Sequence, residues 1–291
     1  MPTLVSTVLP EDTWRALAQA HEERADALTA GRRERAARGE RHAIEDFLFE
    51  YFALKPGQVR RWHPGIGVGL QAADAYAGSR WYVTSRDGFT GLDAAAFAAA
   101  RGDAVAHIRR LLAATAGRKP LLGCFGMHEW AMVYRADDDR RHSLPLRLGQ
   151  DGTDAAVDAN PLVCSHIDAF RFFTPPAVPL NAHQLTRDSQ VAMEQPGCLH
   201  ATMDLYKWAY KLGPATPGDL LLDCFELARD VRYVDMQASP YDVSSYGLAA
   251  IPVETPEGKS EYAARQREFT RRAAPLRERL IAVCDAVLAH R

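Results

Sequence analysis

Apolar positions along this chain recur mainly at helical spacing. Trp14, Leu17, Ala18, His21, Ala25 and Leu28 share one face, following Pro10-Glu11-Asp12, a proline and two acids suited to a first helical turn. The densely charged run 31–41 reads as solvated. Ile44, Phe47, Leu48, Tyr51 and Phe52 give a second helix over 41–54, ended by Pro56-Gly57. Helical periodicity returns over 92–116 (broken at Gly102), 124–135, 198–212, 219–236 and 260–288. The last segment carries Tyr262, Phe269, Leu276, Leu280, Val283 and Val287 in a single stripe. Residues 137–141 read as a polar loop, and Leu162 to Ile167 as a short strand or a buried turn.

Pro175, Pro176, Pro179 and Pro196 make 174–197 a long irregular connection, and ordered loops of that length are often functional. There is no internal repeat and no linker long enough to cut the chain. The pattern therefore predicts a mainly α fold, one compact helical domain over 1–291. Its expected parts are a helical hairpin over 1–57, a site region over 123–242 and a C-terminal helix over 260–290.

With 291 residues the chain can bury a large core, and its formal net charge of -2 offers no global field for nucleic acid, so any DNA contact needs a local basic patch. The five cysteines are widely spaced and odd in number, which argues against a disulfide framework and fits a reducing compartment. No apolar run approaches a membrane span and the first ten residues lack a signal-peptide pattern, so a cytoplasmic protein without a membrane partner is expected.

Three clusters carry possible chemistry. In His200-Ala-Thr-Met-Asp204-Leu-Tyr206-Lys207-Trp208, helical spacing brings His200, Asp204, Lys207 and Lys211 near one face, where imidazole, carboxylate and amine can move protons. An ion pair of Asp204 with Lys207 on a solvated face would explain the same pattern. In His128-Glu129-Trp130-Ala-Met132-Val-Tyr134, burial beside aromatics would raise the Glu129 pKa as a general acid or base requires, and Trp130 and Tyr134 could hold a planar ring or simply pack the core. In Ser165-His166-Ile-Asp168-Ala-Phe-Arg171, Asp168 could orient His166, and Arg171 could clamp an anion or form a structural pair. His128, His166 and His200 could converge, yet there is no His-Glu-x-x-His and no close His/Cys spacing, so no metal site is predicted.

The turn Arg60-Arg61-Trp62-His63-Pro64-Gly65-Ile66-Gly67 is not a Walker loop, since no Gly-Lys-Ser/Thr follows. It resembles the hairpin of helix-hairpin-helix DNA-binding proteins, in which backbone N–H groups and basic flanks meet a phosphate. Arg60, Arg61, Gly65 and Gly67 would take that role, against a simple helix-capping turn as the other reading.

The stretches IEDFLFEYF (44–52), RRWHPG (60–65), GCFGMHEWAMVYR (123–135), SHIDAFRFFTP (165–175) and QPGCLHATMDLYKWAYKL (195–212) resemble a bacterial family, common in actinobacteria, that carries the name 3-methyladenine DNA glycosylase. The similarity runs from about His42 over nearly the whole remaining chain. It implies a cofactor-free hydrolase that excises an alkylated purine from DNA. The hairpin glycosylases place a catalytic Asp downstream of their hairpin. The surroundings of Asp87 and Asp93 do not match that pattern, so no catalytic residue is carried over.

Built instead from this chain, base excision would use Glu129, Asp168 or Asp204 near the sugar, with His200 assisting. Trp130, Tyr134, Tyr206 and Trp208 would be available to stack an extruded base, and His128, His166, Arg171 and Lys207 would contact substrate. Two further readings stand beside it. One is a haem-dependent oxygenase with His200 or His128 as iron ligand and Arg171 holding the carboxylate of a small aromatic substrate. The other is a noncatalytic helical ligand-binding protein.

Overall fold

A computed structural model describes residues 5–52, 54–136 and 143–291. The loop expected over 137–141 lies outside the described residues. Eleven α-helices account for most of the rest, so the fold is mainly α as the periodicity predicts. The chain divides into two compact units of interleaved segments. The first comprises Met1–Ala113, Leu205–Glu226 and Pro275–Arg291, the second Ala114–Asp204 and Leu227–Ala274. Helices α4 (Ala94–Ala116), α9 (Leu199–Lys211), α10 (Gly218–Gln237) and α11 (Pro256–Leu288) each contribute residues to both.

The first unit starts with β1 (Thr7–Leu9) and α1 (Glu11–Ala37), whose buried face is Trp14, His21, Ala25 and Thr29. α1 extends well past the point where charge suggested its end. Its basic last turns are held by ion pairs, Arg35 bridging Glu45 and Asp46. The helix expected over 41–54 is reduced to α2 (Phe47–Tyr51), because the Asp46 carboxylate takes the His42 N–H in a turn before it. Pro56 does not merely stop a helix; it occupies the first turn of α3 (Pro56–Arg60), where its missing N–H costs nothing.

A four-stranded sheet follows, which helical periodicity had not suggested. Its order is β1, β2 (Val68–Gln71), β4 (Phe89–Leu92), β3 (Tyr82–Thr84), with β1 parallel to β2 and the other pairs antiparallel. Gly69 fits because a Cβ there would lie 2.7 Å from the Phe89 ring. Trp14 and Trp62 stack at 6.5 Å over this sheet with Leu70 and Tyr76, and the Trp14 indole N–H donates to the Gln71 carbonyl. α4 runs unbroken through Gly102, contrary to the expected interruption; Arg291 lies 3.3 Å from where that residue's Cβ would stand.

The second unit contains α5 (Met127–Ala131), α6 (Gly149–Asp158), α7 (Ile167–Phe170) and α8 (Gln190–Met193). The helix expected over 124–135 is cut to five residues, because Phe125 and Gly126 have φ of 47° and 74°, in the left-handed region. Leu162 pairs only through an isolated parallel bridge to Asn181, and α7 begins at Ile167. The proline-rich connection is irregular but anchored. Asn181 accepts from the Cys164 N–H and donates to its carbonyl, while Arg118 donates to the carbonyls of Val191 and Glu194. No helix among the described residues is long and apolar enough to cross a membrane.

Candidate metal centre

The left-handed turn at Phe125 and Gly126 launches α5 and delivers His128 and Glu129 into the interior of the second unit. Glycine suits position 126 because its φ of 74° strains any residue with a Cβ, which would also stand close to Ala238 and the Tyr262 ring, at 3.3 and 3.4 Å. A phenylalanine at positive φ costs on the order of 1–3 kcal/mol, and such strain concentrates at functional sites.

Around this turn two triads meet. His128 Nε2 lies 3.0 Å from Asp235 Oδ1, and its ring makes an edge contact with His200 at 4.6 Å. His166 Nε2 lies 3.3 Å from both Glu194 Oε1 and Asp204 Oδ2, and its ring is 5.3 Å from His200. Within His128, His200 and Asp235, and within His166, Glu194 and Asp204, the donor atoms fall inside 4.8 Å of one another. All six residues are buried, His166 and Asp235 completely. Because α9 presents residues four apart on one face, one turn gives His200 to the first triad and Asp204 to the second.

Arg232 Nη1 donates to Glu129 Oε1 at 2.9 Å and to Asp235 Oδ2 at 2.8 Å, fixing the carboxylate that faces His128. Gln190 Nε2 donates to Glu194 Oε1 at 2.6 Å. Burial pulls the His128 pKa down, but the Asp235 carboxylate outweighs it and holds the group well above its usual value. Burial and then the charge of His128 push the pKa of His200 well below its usual value. Its Nδ1 is buried and without a hydrogen-bond partner among the described residues.

His128, His166 and His200 lie together, with Asp204 beside His166. Asp168 and Arg171 belong to neither triad: Asp168 pairs with Arg187 and, at 3.7 Å, with the half-exposed Arg171, whose guanidinium covers Phe172. Trp130 is wholly buried with its N–H on the Ala238 carbonyl, and the Tyr134 hydroxyl donates to Asp158, so both are core and anchoring residues. Tyr206 and Lys207 belong to the first unit, where Tyr206 packs on Phe52 and Phe225 and Lys207 lies over Trp208.

The glycine-rich turn is built into the first unit. Gly65 is buried against Pro217, the Ile66 N–H donates to the Ala215 carbonyl, and Gly67 O accepts from Ser6 and Thr7. Arg60 is engaged by Glu22 and Asp26. The turn thus spends the Ile66 amide and the Gly67 carbonyl on internal bonds, and Arg60 already faces two carboxylates.

Asp235, Arg232 and Glu194 were missed by sequence reasoning. The readable signal for the first two was charge on the apolar stripe of α10, where Ala228 and Val231 lead into Arg232 and Asp235. Glu194 carried no local signal.

Comparison with protein-family models, with curated proteins and with solved structures gave no match, so the functional reading rests on this geometry.

Proposed function

We propose that this protein is a metal-dependent hydrolase whose buried histidine–carboxylate centre holds two divalent cations. The observation that carries the reading is the pair of triads fused through one turn of α9, with the His200 ring in contact with those of His128 and His166. Imidazole and carboxylate together suit zinc, iron or manganese. Three protein donors per ion leave positions for water, and ions in such sites lower the pKa of bound water to about 7 and so supply hydroxide at neutral pH. Arg232 orients Asp235, the role that outer partners of metal ligands perform. Glu129, held by the same guanidinium, fits positioning better than proton transfer.

Metal analysis of purified protein tests this. About two ions per chain are expected, with loss of metal in both His200→Ala and Asp204→Asn. A folded protein that carries no metal and takes up neither zinc, manganese nor ferrous iron in calorimetry overturns the reading. The alkylated base implied by the family resemblance is the first substrate to try. Release of free base that chelator abolishes would join the two ideas, whereas metal-loaded protein that releases none would remove that substrate alone. A Soret band would favour the haem alternative instead.

A further inference from the structure

The first unit contains a cavity of about 530 Å³, inside the range of small-molecule sites, and its lining includes Arg61, Arg80, Arg101 and Lys211 with no aspartate or glutamate. Elsewhere in this unit arginines are matched to acids: Arg24 to Asp223 and Glu226, Arg109 to Asp285, Arg279 to Asp219 and Asp223. Arg61, Arg80 and Arg101 have no carboxylate at ion-pair distance among the described residues. Two of them are nonetheless steered: Arg61 Nη2 donates to Ser79 Oγ at 3.1 Å, and Arg101 Nη2 to the Lys211 carbonyl at 3.3 Å. Like charges gathered round one cavity repel, an arrangement that an anion relieves.

A second observation is independent of charge. Thr216, which also lines the cavity, is buried, and its Oγ1 has no hydrogen-bond partner among the described residues. A buried hydroxyl left unmade is costly, and a ligand atom in the cavity would satisfy it. The remaining wall is aromatic: Trp81, Tyr82 and Tyr210. Arg80 already lies 4.5 Å over the Trp81 ring, and His63 Nδ1 is 2.8 Å from the Tyr82 hydroxyl.

Guanidinium groups, a free hydroxyl and flat rings together select a ligand that is both phosphorylated and aromatic. We propose that this cavity binds a nucleoside phosphate, the phosphate held by Arg61, Arg80 and Arg101 and the base packed on the aromatic wall. The site is built within one unit and does not depend on the metal centre.

Titrating the full-length protein with adenosine, guanosine, cytidine and uridine 5′-monophosphates, read by calorimetry and tryptophan fluorescence, tests the proposal. At least one should bind with a Kd in the micromolar range and more weakly as salt rises. Arg101→Ala and Arg80→Ala should each weaken it about 10–100-fold, as loss of a charge-assisted contact does. Both side chains are exposed, so circular dichroism should show an unchanged fold. The unphosphorylated nucleosides and inorganic phosphate should bind less well. A 5′-phosphorylated dinucleotide that binds more tightly than its mononucleotide would assign the ligand to a strand end rather than a free nucleotide. No binding at millimolar nucleotide, or binding that ignores both arginine substitutions, overturns the site. Inorganic phosphate binding as tightly as nucleotide overturns the aromatic half of the assignment.

Discussion

Arg232 is 1% exposed, and its partners Glu129 and Asp235 are buried as well. Taking one partner from a buried ion pair costs about 3–5 kcal/mol, because the survivor keeps its desolvation penalty. Arg232→Met, similar in volume, should therefore lower stability by that order in chemical denaturation; a loss below about 1 kcal/mol would show that the pair does not hold the site. His63 supplies a different residue-scale test. Burial, then the charge of Arg61, lowers its pKa from 6.5 to about 4. The unfolded chain takes up a proton near 6.5 and the folded one only near 4, so stability is full above 6.5, falls as pH drops between those values, and levels off below 4. The contribution is on the order of 3 kcal/mol at most. His63→Gln, which can still bond the Tyr82 hydroxyl, should flatten the pH dependence of the melting temperature in that window; an unchanged acid slope would assign it to other groups.

At the scale of elements, long stripes were legible and short or glycine-rich pieces were not. The helices expected over 198–212, 219–236 and 260–288 are found as Leu199–Lys211, Gly218–Gln237 and Pro256–Leu288, because repeated burial on one face leaves a long regular pattern. The sheet strands are three or four residues long, too short for alternation to declare itself. One signal stood there unread: Asp87-Gly88 at the β3–β4 hairpin, with Gly88 at φ 79°. At the candidate centre, His200 and Asp204 were legible together because one helix carries both. His128 and His166 were legible as chemistry, and their meeting with His200 only as one possibility, because no spacing links the three segments. Asp235 and Glu194 come from segments far along the chain, and no spacing rule connects them to the histidines.

At the scale of the molecule, each unit closes only when distant segments return to it. In the first, Phe49 packs on Phe225, Phe52 on Tyr206, Arg24 pairs with Asp223 and Glu226, and the glycine-rich turn bonds Ala215 and abuts Pro217. Every one of those partners lies in Leu205–Glu226, more than ninety residues beyond the end of the unit's first segment. A fragment ending at Ala113 would expose the faces of α1 and α2 that these residues cover, and would leave buried turn carbonyls and amides without partners. Unmade buried hydrogen bonds cost about 1–3 kcal/mol each, and marginal domains have only about 5–15 kcal/mol in total. The fragment 1–113 should therefore show helical far-ultraviolet dichroism without a cooperative urea transition or a near-ultraviolet tryptophan signal. Adding 205–226 in trans as a peptide should restore part of both. Cooperative unfolding of the fragment alone would mean that the first segment already holds a complete core and that the returning helices are additions to it.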